Sequence, residues 1–376
     1  MSQVPPARLL ADCGGLIEKL GISLPSAFFG GESFDRWSRP LAPIGNLIAA
    51  FPAGIALFLV VDRQRLAEAE RWLATLPLAV SVTLVPLDMP ESARQSPWMQ
   101  DLFHVRDHAG NHLSGGEILS RAGTAIGPTL ARSLGWKSVS VTLDLDGGNQ
   151  LVGENFRIVG AASLERNGLS SPPPESAAPA DLGLLETLDD RPVHLFGYRA
   201  AGGGRLHQPG FHVDQFVSVT GLSQNARPLL LVAEPCLEGG GESRLVEQAR
   251  SQLDASAVSL ERQGFAVIRN PVPFAVTPDS GKRLARLYNN VLLENVVRKG
   301  REKPLVWLPH FGDIEALSAY DEANRHLWQD LGFEVIGVSG WSHLASRNGA
   351  LRCSAKVLQR LKTGSSSSLP DGATAV

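Results

Sequence analysis

Apolar and polar positions change over in short runs along this chain, and the runs predict more strands than helices. Residues 54–62 (GIALFLVVD) are apolar almost throughout, the pattern of a strand covered on both faces. Residues 63–76 then repeat at helical spacing with one apolar side, and residues 79–87 return to strand. Further strands are expected at 102–106, 138–145, 193–196, 229–233, 265–269, 305–308, 333–338 and 351–357, with 156–162 as the hairpin partner of 138–145. Helical spacing marks 7–20, 243–253, 282–299 and 314–331. Residues 168–182 (GLSSPPPESAAPADL) and the glycine run at 201–204 read as loops, with a turn at 107–111. Residues 1–45 read as a lead-in, 46–362 as one domain and 363–376 as a disordered tail too small and polar to pack. Strands outnumber helices, and the polar and glycine-rich stretches fall at strand ends. That favours several small mixed sheets arranged radially around a site, rather than one doubly wound sheet.

Residues 211–219 (FHVDQFVSV) alternate as a strand would, which places His212 and Asp214 on one face. An imidazole and a carboxylate aimed into one space suit proton transfer or the holding of a cation. Taken alone, a core histidine tied to a neighbouring aspartate is the commoner arrangement.

Charge is nearly balanced, with 35 basic and 38 acidic residues and a formal net charge of -3, and no basic patch suggests nucleic acid. No apolar run is long enough for a membrane helix, and the N-terminus lacks the pattern of a signal peptide. The three cysteines, Cys13, Cys236 and Cys353, are far apart and form neither a disulfide framework nor a zinc set, which points to a reducing cytoplasm. A metal at His212 and Asp214 is a poor fit for the same reason.

Three more stretches carry chemistry. Cys353 follows a glycine turn and lies close in sequence to Arg347 and Arg352, whose charges are expected to lower a thiol pKa. Trp98-Met99-Gln100-Asp101 sets a carboxylate beside an indole, a pairing suited to a planar cation. Asp146-Gly147-Gly148-Asn149 follows an apolar strand and places Asp146 and Asn149 where the backbone can pass close to a ligand.

In order and spacing, WMQD, DGGN, HVDQFVSV and NGALRC together resemble the guanidine-modifying (pentein) superfamily over roughly residues 50–362. WMQD and HVDQFVSV look closest to the peptidylarginine deiminase catalytic domain; agmatine deiminases are expected to carry Arg where Gln100 stands. The resemblance implies an α/β fold, a five-bladed αβ propeller with the active site on its axis. It implies Cys353 as nucleophile, His212 as general acid and base, and Asp101 and Asp214 as the pair that grips a guanidinium in bidentate fashion. Trp98 and Arg347 would line or touch the substrate, with Asp146 and Asn149 beside it. The implied activity is a hydrolase that converts arginine, as peptidyl-arginine or a derivative, to citrulline and ammonia without metal or other cofactor. Agmatine or free-arginine deimination, amidino transfer and a silent binding protein are the alternatives. The expected partner is a guanidinium-bearing small molecule or arginyl peptide, not nucleic acid or membrane, and a homodimer is allowed. Two departures from the family pattern stand out. Arg352 replaces the usual His before the nucleophile, and Leu102, Phe103 and His104 stand where calcium-dependent relatives carry acidic ligands.

Overall fold

One pairing scheme recurs in five of the six sheets of the computed structural model, which describes residues 8–29, 41–88, 95–107, 116–168, 183–199, 206–277 and 281–361. A first strand pairs antiparallel with a second, and the second pairs parallel with a third. The chain supplies this as Phe103–Asp107, Glu117–Arg121 and Lys137–Val141, then as Gln150–Val152, Arg157–Gly160 and Val193–Phe196. It recurs as Val217–Gln224, Arg227–Leu237 and Ala266–Val276, and as Leu292–Leu293, Leu305–Pro309 and Glu334–Val338. The two ends of the chain complete another copy, in which Ala355–Leu361 lies antiparallel to Leu16–Leu24 and Leu16–Leu24 parallel to Ala56–Asp62. A parallel step needs a crossover, and helices supply it: Ile126–Leu134, Arg244–Arg262, Ser318–Asp330 and Leu41–Ala49 are four of them.

The parallel strands are covered on both faces, which is why Leu57, Leu59, Val60 and Val61 are all buried and the run reads as continuously apolar. Helix Ile126–Leu134 ends on Gly135 in the left-handed region (φ 67°), so the chain can turn at once into Lys137–Val141. The molecule is a mixed α/β fold of several small sheets. Among the described residues no helix is long and apolar enough to cross a membrane.

Several expectations are corrected. Residues 7–20 are not a helix: Leu16–Leu24 is a central strand with Ile17, Leu20, Ile22 and Leu24 buried, and burial between two neighbouring strands overrides the helix-like spacing. A central strand therefore lies within the residues read as a lead-in. Residues 282–299 are not a helix either, but two short strands, Arg283–Ala285 and Leu292–Leu293, around a buried turn. That turn carries Arg286, Asn289 and Asn290, whose polar groups need backbone partners that a helix would have kept for itself; Arg286 donates to the carbonyls of Leu284 and Val276. Residues 156–162 do not pair with 138–145. Arg157–Gly160 turns back on Gln150–Val152, while Lys137–Val141 belongs to the preceding sheet. The loop at 169–182, the glycine run at 201–204 and the tail at 363–376 lie outside the described residues.

Candidate active site

A tight turn leads into the first strand of each recurring unit, and these turns carry the candidate residues. Met99–Asp101 precedes Phe103–Asp107, Gly147–Asn149 precedes Gln150–Val152, Val213–Gln215 precedes Val217–Gln224, and Leu351–Ser354 precedes Ala355–Leu361. Asn290, in the buried turn described above, stands two residues ahead of Leu292–Leu293. The residue two positions before the strand is thus Asp101, Gly148, Gln215, Asn290 or Cys353 in turn. Equivalent places in five structurally similar units deliver five different chemistries.

The HVD stretch is therefore not a strand at its start. His212 caps a turn of 3-10 helix that holds Asp214, and the strand begins only at Val217. Alternation of apolar and polar residues mimicked a strand, but two side-chain amides hold the backbone in the turn. Gln215 Oε1 accepts from the backbone N–H groups of Phe211 (2.7 Å) and His212 (3.1 Å). Asn149 Oδ1 accepts from the N–H of Val213 at 3.1 Å. Both ends of the Asn149 amide are engaged by protein, since its Nδ2 donates to Ser163 Oγ at 2.8 Å. Asn149 braces the histidine turn.

Cys353, His212, Asp214 and Asp101 come together. Cys353 is 2%, His212 4% and Asp214 0% exposed. Cys353 Sγ lies 3.7 Å from Asp214 Oδ2, and His212 Nδ1 lies 3.7 Å from Asp101 Oδ1. Gly148 faces the space between them. A methyl group there would fall 2.6 Å from His212 Nδ1, 2.8 Å from Asp101 Oδ1 and 3.3 Å from Asp214 Oδ1. Asp214 Oδ1 is buried with no hydrogen-bond partner among the described residues. A buried carboxylate oxygen left unpaired is costly.

The protonation states follow from these contacts. Burial pulls the His212 imidazole down, but the Asp146 carboxylate, 3.3 Å from Nε2, and the charges of Asp101 and Asp214 outweigh it, so its pKa is raised. Burial pushes Asp146 up, yet the hydrogen bonds from His212 and Arg166 (2.7 Å) win and hold it well below the usual carboxylate range. Burial pushes the Asp101 carboxyl up to about 6, against the opposing charge of His212. The Cys353 thiol is raised well above its ordinary value by burial and by the charges of Asp214 and Asp101. This corrects the expectation that nearby arginines would lower it. The Arg352 guanidinium is directed instead at Asp214 Oδ2 (2.6 Å) and Asp12 Oδ1 (2.8 Å).

Both carboxylates carry one protein partner: Gly148 N–H donates to Asp101 Oδ1 at 2.8 Å and Arg352 Nη1 donates to Asp214 Oδ2 at 2.6 Å. Trp98 lies against Gly349, where a side chain larger than hydrogen would meet the indole within 2.4 Å. Arg347 is half-buried just ahead of Asn348, whose carbonyl accepts from Gln215 Nε2 at 3.0 Å. Phe211, 62% exposed, tilts over the His212 ring with centroids 4.4 Å apart.

Asn290 escaped the sequence reading. It accepts from the Cys353 backbone N–H through Oδ1 (3.0 Å), and its Nδ2 lies 3.2 Å from Sγ and 3.3 Å from the Asp214 carbonyl. Two adjacent asparagines amid apolar residues were the available signal. Arg166, which fixes Asp146, was missed as well.

By sequence the chain matches no family model and no curated protein. By structure it resembles C. jejuni agmatine deiminase, with 13% identity, a TM-score of 0.61, and 96% of this chain and 97% of that one covered. A solved putative peptidyl-arginine deiminase gives 18% identity and a TM-score of 0.61, covering 97% of this chain and 100% of that one. A putative arginine deiminase from Porphyromonas gingivalis gives 17% identity and a TM-score of 0.60, covering 96% and 99%. The chain shares the fold of these solved deiminases.

Proposed function

We propose that the chain is a cysteine-dependent hydrolase that converts an alkylguanidinium to the corresponding ureido compound and ammonia. The unpaired, buried Asp214 Oδ1, gathered with Asp101 and His212 around Gly148, carries this reading. A guanidinium supplies N–H donors in one plane, and a donor is what Asp214 Oδ1 lacks among the described residues. Agmatine and free arginine stand ahead of peptidyl-arginine as substrates, because agmatine deiminases recur among the structural neighbours. The radial five-bladed arrangement belongs to the same proposal, supported by the five recurrences of one strand pairing.

The chemistry follows from the charges. With no substrate bound, the thiol is protonated and His212 is cationic. The arriving guanidinium offsets Asp101 and Asp214, so the thiol gives up its proton to solvent more readily and Cys353 Sγ attacks the guanidinium carbon. His212 gives its proton to the leaving nitrogen, which departs as ammonia, and the amidino carbon stays on sulfur. Neutral His212 then takes a proton from water, the hydroxide adds to that carbon, and the C–S bond breaks to release the ureido product. The proton taken from water leaves His212 cationic again, and the Asp146 carboxylate, held by Arg166, stabilises that form.

The test is a colorimetric ureido assay, with ammonia measured in parallel, on agmatine, arginine, N-methylated arginines and an arginyl peptide. One ureido group per ammonia supports a hydrolase. A guanidinated amine in place of ammonia would make the chain an amidinotransferase, and no product from any compound would refute the reading.

A further inference from the structure

The residue before the cysteine is itself a guanidinium, and it already sits on one of the two carboxylates. Arg352 is buried, and its fork spans two units of the fold: Nη1 donates to Asp214 Oδ2 at 2.6 Å, while Nη2 donates to Asp12 Oδ1 at 2.8 Å and to the Gln150 carbonyl at 3.2 Å. Asp12 is fixed in turn, since its other oxygen accepts from the Val152 N–H at 2.7 Å. On the reading of the site as a guanidine hydrolase, we propose that Arg352 is a positioning residue, a built-in guanidinium that permanently fills one half of Asp214, so that the substrate meets this carboxylate through Oδ1 alone.

The geometry carries the point. Asp214 Oδ2 is the oxygen 3.7 Å from Cys353 Sγ, and it is the one that Arg352 takes. Asp214 Oδ1 is the oxygen nearer Gly148, and it has no partner among the described residues. With Arg352 holding Oδ2, an incoming guanidinium that meets Oδ1 lies on the side of Asp214 toward His212 and Asp101. Arg352 also keeps a fully buried carboxylate paired between turnovers, where an uncompensated buried charge would be costly. A lysine keeps the charge but lacks the planar fork that bridges Asp214 and Asp12.

Arg352→Ala should leave a gap of guanidinium shape lined by Asp214 Oδ2, Asp12 Oδ1 and the Gln150 carbonyl. On the best substrate the expected loss in kcat is about 100-fold, the size of a misplaced reacting group, with a smaller change in KM. Guanidinium chloride, at concentrations that leave the wild type uninhibited, should restore at least roughly a tenth of the lost rate. Methylammonium chloride should not, and Arg352→Lys should stay impaired. Wild-type kcat in either variant, or a folded Arg352→Ala that guanidinium does not rescue, overturns the proposal. If Arg352→Ala does not fold, Arg352→Lys decides by the same kcat criterion.

Thermal unfolding supplies a readout free of turnover. In a Cys353→Ser background, dilute guanidinium should raise Tm further when Arg352 is replaced by alanine than when it is present. Equal shifts overturn the proposal even if the substrate proves not to be a guanidine, whereas a failed ureido assay with unequal shifts removes only the assigned reaction.

Discussion

Asn290 and Cys353 are joined at both ends: the asparagine Oδ1 accepts the cysteine backbone N–H at 3.0 Å, and its Nδ2 faces Sγ at 3.2 Å. The N–H aimed at sulfur favours the thiolate, in opposition to burial and to the two carboxylates that raise the thiol pKa. Asn290→Ala should therefore lower kcat by about 10- to 100-fold, the range for removing one donor at a developing charge. Asn290→Asp should lower it more, because it sets a third carboxylate against sulfur. The check is the pH dependence of Cys353 alkylation, whose inflection should move up in both variants.

A raised thiol pKa has a second consequence. Cys13 is pushed by burial up to about 12, and Cys236 is raised by burial too, so none of the three cysteines presents a ready thiolate. Neutral iodoacetamide should label the protein slowly at pH 7. A cationic haloacetamidine of guanidinium shape should label Cys353 selectively, since it brings the missing charge with it. Mass mapping of the alkylated peptides decides; equal labelling of all three cysteines by the cationic reagent would contradict the assignment.

Asp101 links pH to both binding and stability. Its carboxyl is raised from 3.8 to about 6, chiefly by burial, so the fold holds its proton more tightly than the unfolded chain does. That contribution favours the folded state at low pH and is lost as pH rises through about 6, above which the ionised group is a standing cost. Two results are expected. kcat/KM should fall as pH drops below about 6, where the carboxylate is neutralised. Asp101→Asn should lose activity yet unfold less readily at pH 8, by on the order of 1–3 kcal/mol in denaturant titration.

Gly148→Ala tests the close packing of the site. Its methyl group would lie 2.6 Å from His212 Nδ1 and 2.8 Å from Asp101 Oδ1 and would force both side chains to shift. A loss of at least about 100-fold in kcat/KM is expected. Retention of wild-type kinetics with an unchanged far-UV spectrum would move the substrate elsewhere.

Calcium should not change the rate. Leu102 and Phe103 offer no oxygen ligands, and burial pushes the His104 imidazole down to about 3 while its Nε2 meets the Leu145 carbonyl at 3.0 Å. Rates in excess chelator and in millimolar-range calcium should agree; a large rise with calcium would show that carboxylates elsewhere in the chain bind it.

The sequence made the chemistry more legible than the backbone that delivers it. Asp101, His212, Asp214 and Cys353 stood out because WMQD, DGGN, HVDQFVSV and NGALRC occur in one characteristic order and spacing, each being weak taken alone. Their backbone did not, since a 3-10 turn followed by a strand alternates apolar and polar residues as a longer strand would. Leu16–Leu24 was hidden for a related reason: a strand buried between two others has no polar face, so its apolar residues can fall at helical spacing. Asn290 and Arg352 act through contacts 63 and 138 residues away in the chain, on Cys353 and Asp214, and no local pattern records such pairs.

The most direct measurement is the mass of the protein during turnover. Acid-quenched in the presence of its best guanidine substrate, the chain should gain the mass of that substrate less ammonia, on the peptide that contains Cys353. Cys353→Ser should show no such gain and no ureido product. Ureido product with an unmodified Cys353 at every quench time, or full activity in Cys353→Ser, would contradict the covalent mechanism.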